Sequence, residues 1–385
     1  MVFIHGQRFA LGGSGLAQRT RLAFDALTLA TQGRPRFLLS PDYPEVRALA
    51  EQAGWTLYPV GSWLERQNAA MRLSLRLASF WGALVHAGVR DRLFTMLGGA
   101  DVAPGPVNTL LGGLPQADIW LSRCDLLHLT RCVRPGQRVI LDSNDTVANL
   151  VECYDPRRRV RRLSGLSKAK VVSLIAAHEV SLARRCDRII AISPEDERFY
   201  RQAAPSKVVL EESCVVTPPD AAPSFAERRY DVGFLGGSHQ GSVDAARNFL
   251  RLSAHPLLRG KRFALAGGIC GMVDKSAAGA VEMLGRVESS RAFLGNCRQV
   301  LLWSQNETGT SVKFQEAVLS GASVIANAPA ARWSQARAGR DYFLCETESE
   351  VVPHILSGSQ IQSSALLEQC RPDVIAARFA RLLAA

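Results

Sequence analysis

Short apolar segments alternate along the first half of the chain with segments in which apolar residues recur at helical spacing. The apolar segments predict buried strands at residues 2–5, 36–40, 118–122, 138–141 and 188–192. The periodic segments predict helices at residues 16–29, 44–53, 174–186 and 194–200, with Ser193 capping the last. Because strands that alternate with helices pack as a parallel sheet covered by helices, this half is predicted to be an α/β domain.

The pattern breaks at residues 217–223 (TPPDAAP), which are rich in Pro and Ala and lack periodicity. It then restarts, with strands predicted at 230–235, 262–266, 299–304 and 323–326 and helices at 243–252 and 310–320. We therefore predict two Rossmann-like domains. The predicted bounds are 1–216, a linker at 217–227, a second domain at 228–370, and a C-terminal helix at 371–385 that packs back on the first domain.

Length and composition agree with two globular domains. The 385 residues are 47% apolar and 21% charged, which gives ample core. The nine cysteines are scattered and never form CxxC, so we expect neither a zinc site nor a disulfide framework. The first residues lack the pattern of a signal peptide, and the longest apolar stretch, 77–89, is shorter than the ~20 residues of a membrane span. We expect a cytoplasmic protein.

The chain is basic, with a formal net charge of +11. Seven cations fall within residues 157–170 without an acid among them, including Arg158, Arg161 and Arg162. Such a block binds anionic lipid headgroups, a phosphorylated acceptor or nucleic acid, or is simply a solvated loop. Nucleic acid is the least favoured partner, because aromatic residues are not interleaved with the cations. The apolar helix predicted near 73–89 is either an interfacial anchor or part of its own domain's core.

Three loop-to-helix transitions are candidate anion sites, because a helix start presents unpaired N–H groups and a positive dipole end. Two are glycine loops, at residues 12–15 and 236–238; neither is a full GxGxxG, which disfavours NAD. The third is the segment 307–317 (ETGTSVKFQEA), where Lys313 and Glu316 share a helix face. Here the amides of Thr310 and Ser311 would bind a diphosphate, Lys313 would neutralise it, and Glu316 would accept from ribose hydroxyls. The alternative is an exposed ion pair.

The order of these motifs resembles the nucleotide-sugar-dependent glycosyltransferases of family four, which have the GT-B fold. The matching segments are FLGG after a strand, Gly285-Arg286-Val287, G-T-x-x-K-x-x-E-A at 309–317, the following S-G-x-S-V-I, and HEVSLARRCDRIIAIS at 178–193. The resemblance covers residues 178–330 well and the first 150 residues by architecture alone. It implies two parallel sheets that face each other across a cleft.

The resemblance also implies roles for individual residues. Glu316 would hold the ribose of the donor, and the backbone around Val287 would read its base. The phosphates would be approached by Gly236, Gly237 and Ser238 and by Gly309, Thr310, Ser311 and Lys313, while Gly12 and Gly13 would close the site from the first domain. Many family members have a glutamate eight residues before the one aligned with Glu316, but Thr308 stands there, so a role for Glu307 in binding the sugar is doubtful.

Sugar transfer weakens the bond between the anomeric carbon and the diphosphate, which cations such as Lys313 assist by stabilising the leaving group. An inverting enzyme also needs a base for the acceptor hydroxyl. Asp145 follows the strand at 138–141 and is our candidate base; the alternative is that it caps the next helix. A retaining enzyme needs no dedicated base. His5, His128 and His178 are candidates by residue type alone.

The sequence thus predicts a metal-independent glycosyltransferase without a cofactor, since no DxD motif lies beside a candidate site. The donor is a nucleotide diphosphate-sugar, and the acceptor is a lipid-linked or other cell-envelope glycan at the inner face of the membrane. A non-catalytic sugar- or nucleotide-binding protein of the same fold is the first alternative. A basic nucleic-acid-binding protein is the second.

Overall fold

In a computed structural model, the chain forms two compact α/β units, Met1–Glu212 and Ser213–Ala385. The structure describes residues 1–6, 15–60, 94, 102–153, 167–216, 223–237, 240–274, 279–304 and 310–384. The predicted loop at 12–15, the segment at 73–89 and the block at 157–162 lie wholly or mainly outside these ranges. So do the site residues Gly12, Gly13, Ser238, Gly309, Arg158, Arg161 and Arg162.

The first unit has a parallel sheet whose described strands follow the order β3-β2-β1-β4-β5-β6-β7. The strands are β1 (Val2–Ile4), β2 (Phe37–Ser40), β3 (Thr56–Pro59), β4 (Asp118–Leu121), β5 (Arg138–Asp142), β6 (Arg188–Ala191) and β7 (Val208–Leu210). Order reverses between β1 and β4, which is where open α/β sheets form their binding crevices. The central strands are apolar on both faces and buried, as expected for a sheet covered by helices.

Helices of the first unit connect these strands. They are α1 (Gly15–Ala30), α2 (Pro44–Ala53), α3 (Pro104–Gly112), α4 (Val147–Cys153), α5 (Lys168–Ala183) and α6 (Pro194–Arg201), and a 3-10 segment spans Cys124–Cys132. The predicted cap of α6 is confirmed, because the Asp196 amide donates to Ser193 Oγ at 3.1 Å. Proline at the first position of α6 has no backbone N–H. Since the helix offers no internal acceptor to an N–H at this position, no hydrogen bond is lost.

The second unit also has a parallel sheet, in the order β10-β9-β8-β11-β12-β13. Its strands are β8 (Tyr230–Leu235), β9 (Phe263–Ala266), β10 (Glu282–Gly285), β11 (Cys297–Leu302), β12 (Ser323–Ala326) and β13 (Phe343–Leu344). Its helices are α7 (Gln240–Ser253), α8 (Ser290–Gly295), α9 (Val312–Leu319), α10 (Glu348–Ser357), α11 (Ser364–Gln369) and α12 (Pro372–Ala384). One buried apolar cluster on the sheet includes α7 and α10, and another includes α8 and α9.

The predicted fold class is confirmed: both units are parallel α/β layers. Strands β8 and β12 begin and end where the apolar pattern places them. The sequence analysis did not predict the edge strands β3, β7 and β10 or the two-residue β13, because edge strands are partly exposed and short or lack a continuous apolar run. None of the described helices is both apolar enough and long enough to cross a bilayer.

Candidate functional site

The carboxyl edge of the second sheet brings together the starts of two helices. Helix α7 follows β8, and α9 follows β11, the strand hydrogen-bonded to β8. Lys313, in the first turn of α9, donates from Nζ to Ser242 Oγ in the first turn of α7 at 3.4 Å. Ser242 is 4% exposed. Because both helix starts carry positive partial charge, the half-buried Lys313 ammonium adds to an electropositive position.

Ser311 is the cap of α9, since its hydroxyl accepts from the Phe314 amide at 3.4 Å. The first hydrogen bond within the helix runs from the Gln315 amide to the Ser311 carbonyl at 3.1 Å. The Val312 amide lies ahead of that bond, among the N–H groups that helix geometry leaves without an internal acceptor. An anion at this helix start would therefore be met by the Val312 amide and the Lys313 side chain.

The Ser311 amide, which the sequence analysis assigned to a diphosphate, has a backbone acceptor in this structure. That amide donates to the Arg332 carbonyl at 2.8 Å. The Thr310 hydroxyl donates to the same carbonyl at 2.8 Å and accepts from Gln315 Nε2 at 3.0 Å. Both residues thus fix the loop that begins α9 to the segment after β12. Their role in the described structure is to hold the helix start in place.

Glu316 contacts the start of α8, which follows Val287 closely in the sequence. Glu316 Oε1 accepts from Ser290 Oγ at 2.7 Å, and Ser290 is the first residue of α8, three positions after Val287. Glu316 is only 5% exposed, which excludes the alternative of a solvent-exposed ion pair with Lys313. Ser290 was missed at the sequence level, because nothing links it to a glutamate 26 residues away.

Glycines at the ends of β8, β9 and β10 allow close backbone approach. The Gly236 amide donates to the Ala266 carbonyl at 3.0 Å. A Cβ on Gly267, which has φ +100°, would lie 2.2 Å from the Gly236 carbonyl oxygen. The Gly267 amide in turn donates to the Gly285 carbonyl at 2.6 Å. Sequence analysis missed Gly267, although the Gly267-Gly268 pair follows a predicted strand just as Gly236-Gly237 does.

A small pocket lies among these elements. Its wall includes Ser242, Trp303, Ser304, Ser311 and Lys313. Ser304 is fixed by paired hydrogen bonds to Asn327, from its amide to Oδ1 at 3.1 Å and from Nδ2 to its carbonyl at 2.7 Å. The pocket therefore has a rigid polar rim with the Lys313 ammonium on one side.

In the first unit, Asp145 lies in a strained turn after β5. Asn144 and Asp145 have φ of 50° and 96°, and they are the non-glycine residues with positive φ among those described. Asp145 Oδ1 accepts from the Thr146 amide at 2.7 Å and from Asn149 Nδ2 at 3.1 Å. The cap of α4 is Thr146, whose hydroxyl accepts from the Asn149 amide at 3.0 Å. Strain of this kind persists only where the surroundings enforce it.

Two further buried acids surround that turn. Glu179 accepts from the Val147 and Ala148 amides, each at 3.1 Å, and from Tyr200 Oη at 2.7 Å. Burial raises the pKa of Glu179 to about 8, although these hydrogen bonds act against the shift. Burial, reinforced by the charge of Asp145, also raises the pKa of Asp196 well above its ordinary value. Asn149 links Asp145 to Asp196, where its Nδ2 lies 3.4 Å from Oδ1.

The three candidate histidines are buried within the first unit. His5 Nδ1 lies 2.5 Å from Ser122 Oγ, and burial lowers the pKa of His5 well below its ordinary value. In His128, Nδ1 lies 3.0 Å from the Asp125 carbonyl oxygen and Nε2 lies 3.1 Å from the Val102 carbonyl oxygen. His178 packs edge-on against Phe94, with ring centroids 5.6 Å apart. His128 and His178 thus have structural contacts, while His5 stands at the carboxyl end of β1.

Within the described ranges, His, Cys, Asp and Glu side chains form no group of three that would hold a metal ion. Eight cysteines in those ranges are buried thiols that form no disulfide. Burial raises the pKa of Cys186 and Cys297 to about 12, so both are protonated thiols at neutral pH.

Comparison with solved structures identifies the fold of the whole chain. No protein-family model matches the chain, and no curated protein does. HepE from Anabaena, solved in complex with UDP and glucose, is 12% identical with a TM-score of 0.60, over 100% of this chain and 98% of HepE. The lipopolysaccharide outer core galactosyltransferase WaaB, in its apo form, is 11% identical with a TM-score of 0.61, over 99% and 98%. A glycosyltransferase from Rickettsia africae is 9% identical with a TM-score of 0.64, over 99% and 98%.

Proposed function

We propose that this chain transfers a sugar from a nucleoside diphosphate-sugar to an acceptor hydroxyl. The proposal is supported by the two-domain GT-B fold that the chain shares with those glycosyltransferases. The observation that carries the proposal is the position of Lys313, whose Nζ lies 3.4 Å from Ser242 Oγ where α7 and α9 both begin. A diphosphate placed there meets a cation and two helix N-termini. We infer a uridine donor, because HepE is solved with UDP and with UDP-glucose.

In the proposed complex, Lys313 and the Val312 amide bind the diphosphate. Glu316, whose Oε1 accepts from Ser290 Oγ at 2.7 Å, binds the ribose. The backbone near Val287 lies beside the base. Ser290 thereby fixes the rotamer of Glu316 before the donor arrives, which reduces the entropy cost of binding.

In the reaction, the bond between the anomeric carbon and the diphosphate oxygen breaks and the acceptor oxygen bonds to that carbon. Negative charge develops on the leaving diphosphate, and Lys313 stabilises it as a cation in a partly dry site. The acceptor's proton passes to Asp145 if the enzyme inverts configuration, and to the departing phosphate if it retains. We propose that the charge supplied by Lys313 and the helix starts makes the reaction metal-independent.

We propose that the first unit binds the acceptor and that the acceptor is a cell-envelope glycan. WaaB, one structural neighbour, acts on the lipopolysaccharide outer core. Arg158, Arg161 and Arg162 supply the cations that a phosphorylated or lipid-linked acceptor at the inner membrane surface would contact. A protein that acts on an acceptor at this surface is located in the cytoplasm.

Titration calorimetry with UDP and with uridine tests the donor site. Lys313→Met is expected to weaken UDP binding by about tenfold or more and to leave uridine binding unchanged, because only the diphosphate loses a charged partner. Glu316→Gln is expected to weaken both ligands by a similar factor, because both contain the ribose. Lys313→Arg keeps the charge and should retain most of the affinity.

A matched control is Arg251→Gln, a cation on α7 that lies outside the small pocket and is 67% exposed. It should bind UDP as the wild type does. Equal UDP affinity of the wild type and Lys313→Met would overturn the donor site, and binding of UDP-glucose without transfer to any glycan acceptor would favour the non-catalytic alternative.

A further inference from the structure

A second pocket in the second unit lies one to two turns further along α7 than the small pocket described above. Ser242 and Ala245 of α7 line the small pocket, whereas Asn248, Arg251 and Leu252 line the second one. The opposite wall is the segment that starts α10, and the floor belongs to β11. The volume is about 240 Å³. Since drug-sized ligands occupy pockets of roughly 300–1,000 Å³, this one fits a single ring.

One wall of the second pocket is apolar. Trp303, which directly follows β11, is partly buried, and Leu252 and Leu301 lie behind it with 2% and 1% exposure. None of the described residues accepts a hydrogen bond from the Trp303 indole N–H. An indole face with a flat apolar surface packs well against the C–H face of a ring, while its N–H keeps a polar contact.

The other wall is polar and held in place. Arg251 Nε donates to Glu348 Oε1 at 2.8 Å, and the Ala328 amide fixes Glu346 Oε1 at 2.9 Å. Thr347 caps α10 in a capping box with Glu350. Asn248 is half-buried, and its amide has no hydrogen-bond partner in the described part of the chain. An amide both donates and accepts, so Asn248 is suited to a ligand group that does both.

The charges of the pocket exclude a phosphate. One arginine is set against the two glutamates 346 and 348, so an anionic ligand would be repelled. A neutral ring with hydroxyls around its rim and an apolar face matches both walls. Hydroxyls donate to the carboxylates and exchange hydrogen bonds with the Asn248 amide, and the ring's C–H face covers Trp303.

We propose that this pocket binds one neutral sugar ring, as a site separate from the donor's phosphates and ribose. The two pockets share Trp303. A sugar bound here would therefore lie next to the donor site, within the same unit. The inference depends on Trp303, Asn248 and the Arg251–Glu348 pair, and it does not require Lys313 to bind a diphosphate.

The test is binding of neutral methyl glycosides of glucose, galactose, mannose and N-acetylglucosamine to the full chain, measured by saturation-transfer NMR and calorimetry. Asn248→Ala is expected to weaken the glycoside that binds by about tenfold, the equivalent of one or two hydrogen bonds. Alanine favours the helix, so α7 should be kept. Arg247→Ala, on the neighbouring exposed position of α7, is the matched control and should bind normally.

The proposal would be overturned if no glycoside bound the wild type at millimolar concentration. It would also be overturned if Asn248→Ala bound the glycoside as the wild type does. A third contrary result is that only uridine and adenosine bind, and that they do so through Asn248. UDP titrations separate this site from the donor site. If Asn248→Ala loses the glycoside while Lys313→Met still binds UDP normally, the donor proposal fails and the sugar site stands. If Lys313→Met loses UDP while Asn248→Ala keeps the glycoside, the reverse holds.

Discussion

The two units use charge differently at the carboxyl edges of their sheets. The first unit buries whole ion pairs there: Arg19 and Asp142 are 1% and 0% exposed at 2.9 Å, and Arg123 and Asp125 are 6% and 0% exposed at 2.8 Å. The second unit has glycine backbone and the neutral Ser304–Asn327 pair at its edge, with Lys313 half-buried beside them.

This difference distinguishes charged residues that stabilise the fold from a charged residue that lines a pocket. A buried arginine that already holds a carboxylate contributes little charge to anything outside, since its field is neutralised within a few ångströms. Lys313 donates to the Ser242 hydroxyl and lies in the wall of the small pocket. The first unit therefore uses buried charged pairs as part of its framework at this edge, whereas the second unit places the Lys313 cation in the wall of a pocket.

The largest expected effect comes from breaking a buried pair. Arg19→Met leaves Asp142 buried without its cation and is expected to lower the free energy of unfolding by about 3–5 kcal/mol. Urea unfolding followed by tryptophan fluorescence measures the loss. The double variant Arg19→Met with Asp142→Leu removes both charges and should recover most of it. A loss below about 1 kcal/mol in the single variant would mean that the pair is not part of the framework.

The next effect tests the glycine edge of the second unit. Gly267→Ala places a Cβ 2.2 Å from the Gly236 carbonyl oxygen at φ +100°, so the backbone must shift. We expect a loss of about 2–4 kcal/mol in the free energy of unfolding. Gly271→Ala is the control, at the end of the 3-10 segment Gly268–Gly271 that follows Gly267, because nothing lies within 4 Å of its added Cβ. Equal stability of the two variants would contradict the close approach.

Most of the fold could be predicted from the sequence, because the signals for strands and helices are local. Apolar runs and glycine or proline boundaries identified β8, β12 and α6. Partnerships across the sheet are not local: the sequence could not show that Lys313 meets Ser242 or that Glu316 meets Ser290. The acceptor of the Ser311 amide could not be predicted for the same reason, since Arg332 comes 21 positions later. Helix starts can be read from the sequence, but which of their amides remain available depends on tertiary contacts.

A smaller effect is expected from pH acting on Glu179. Burial raises its pKa from 4.5 to about 8, so between these values the folded chain keeps a proton that the unfolded chain has released. Stability contributed by this group therefore falls as pH rises from about 5 to 8. Glu179→Gln cannot titrate, so its unfolding free energy should change less across this range. Parallel pH profiles of the two proteins would show instead that Glu179 titrates normally.

The smallest effect is expected for an exposed pair, which completes the contrast with Arg19 and Asp142. Arg21 and Asp25 lie on α1 four positions apart, 2.8 Å from each other and 40% and 52% exposed. Water screens such a pair and its side chains lose entropy on pairing, so Arg21→Gln should change the free energy of unfolding by less than about 0.5 kcal/mol. Urea unfolding at low and high salt checks this. If Arg21→Gln cost as much as Arg19→Met, burial would not be what distinguishes the two pairs, and the framework interpretation of the first unit would fail.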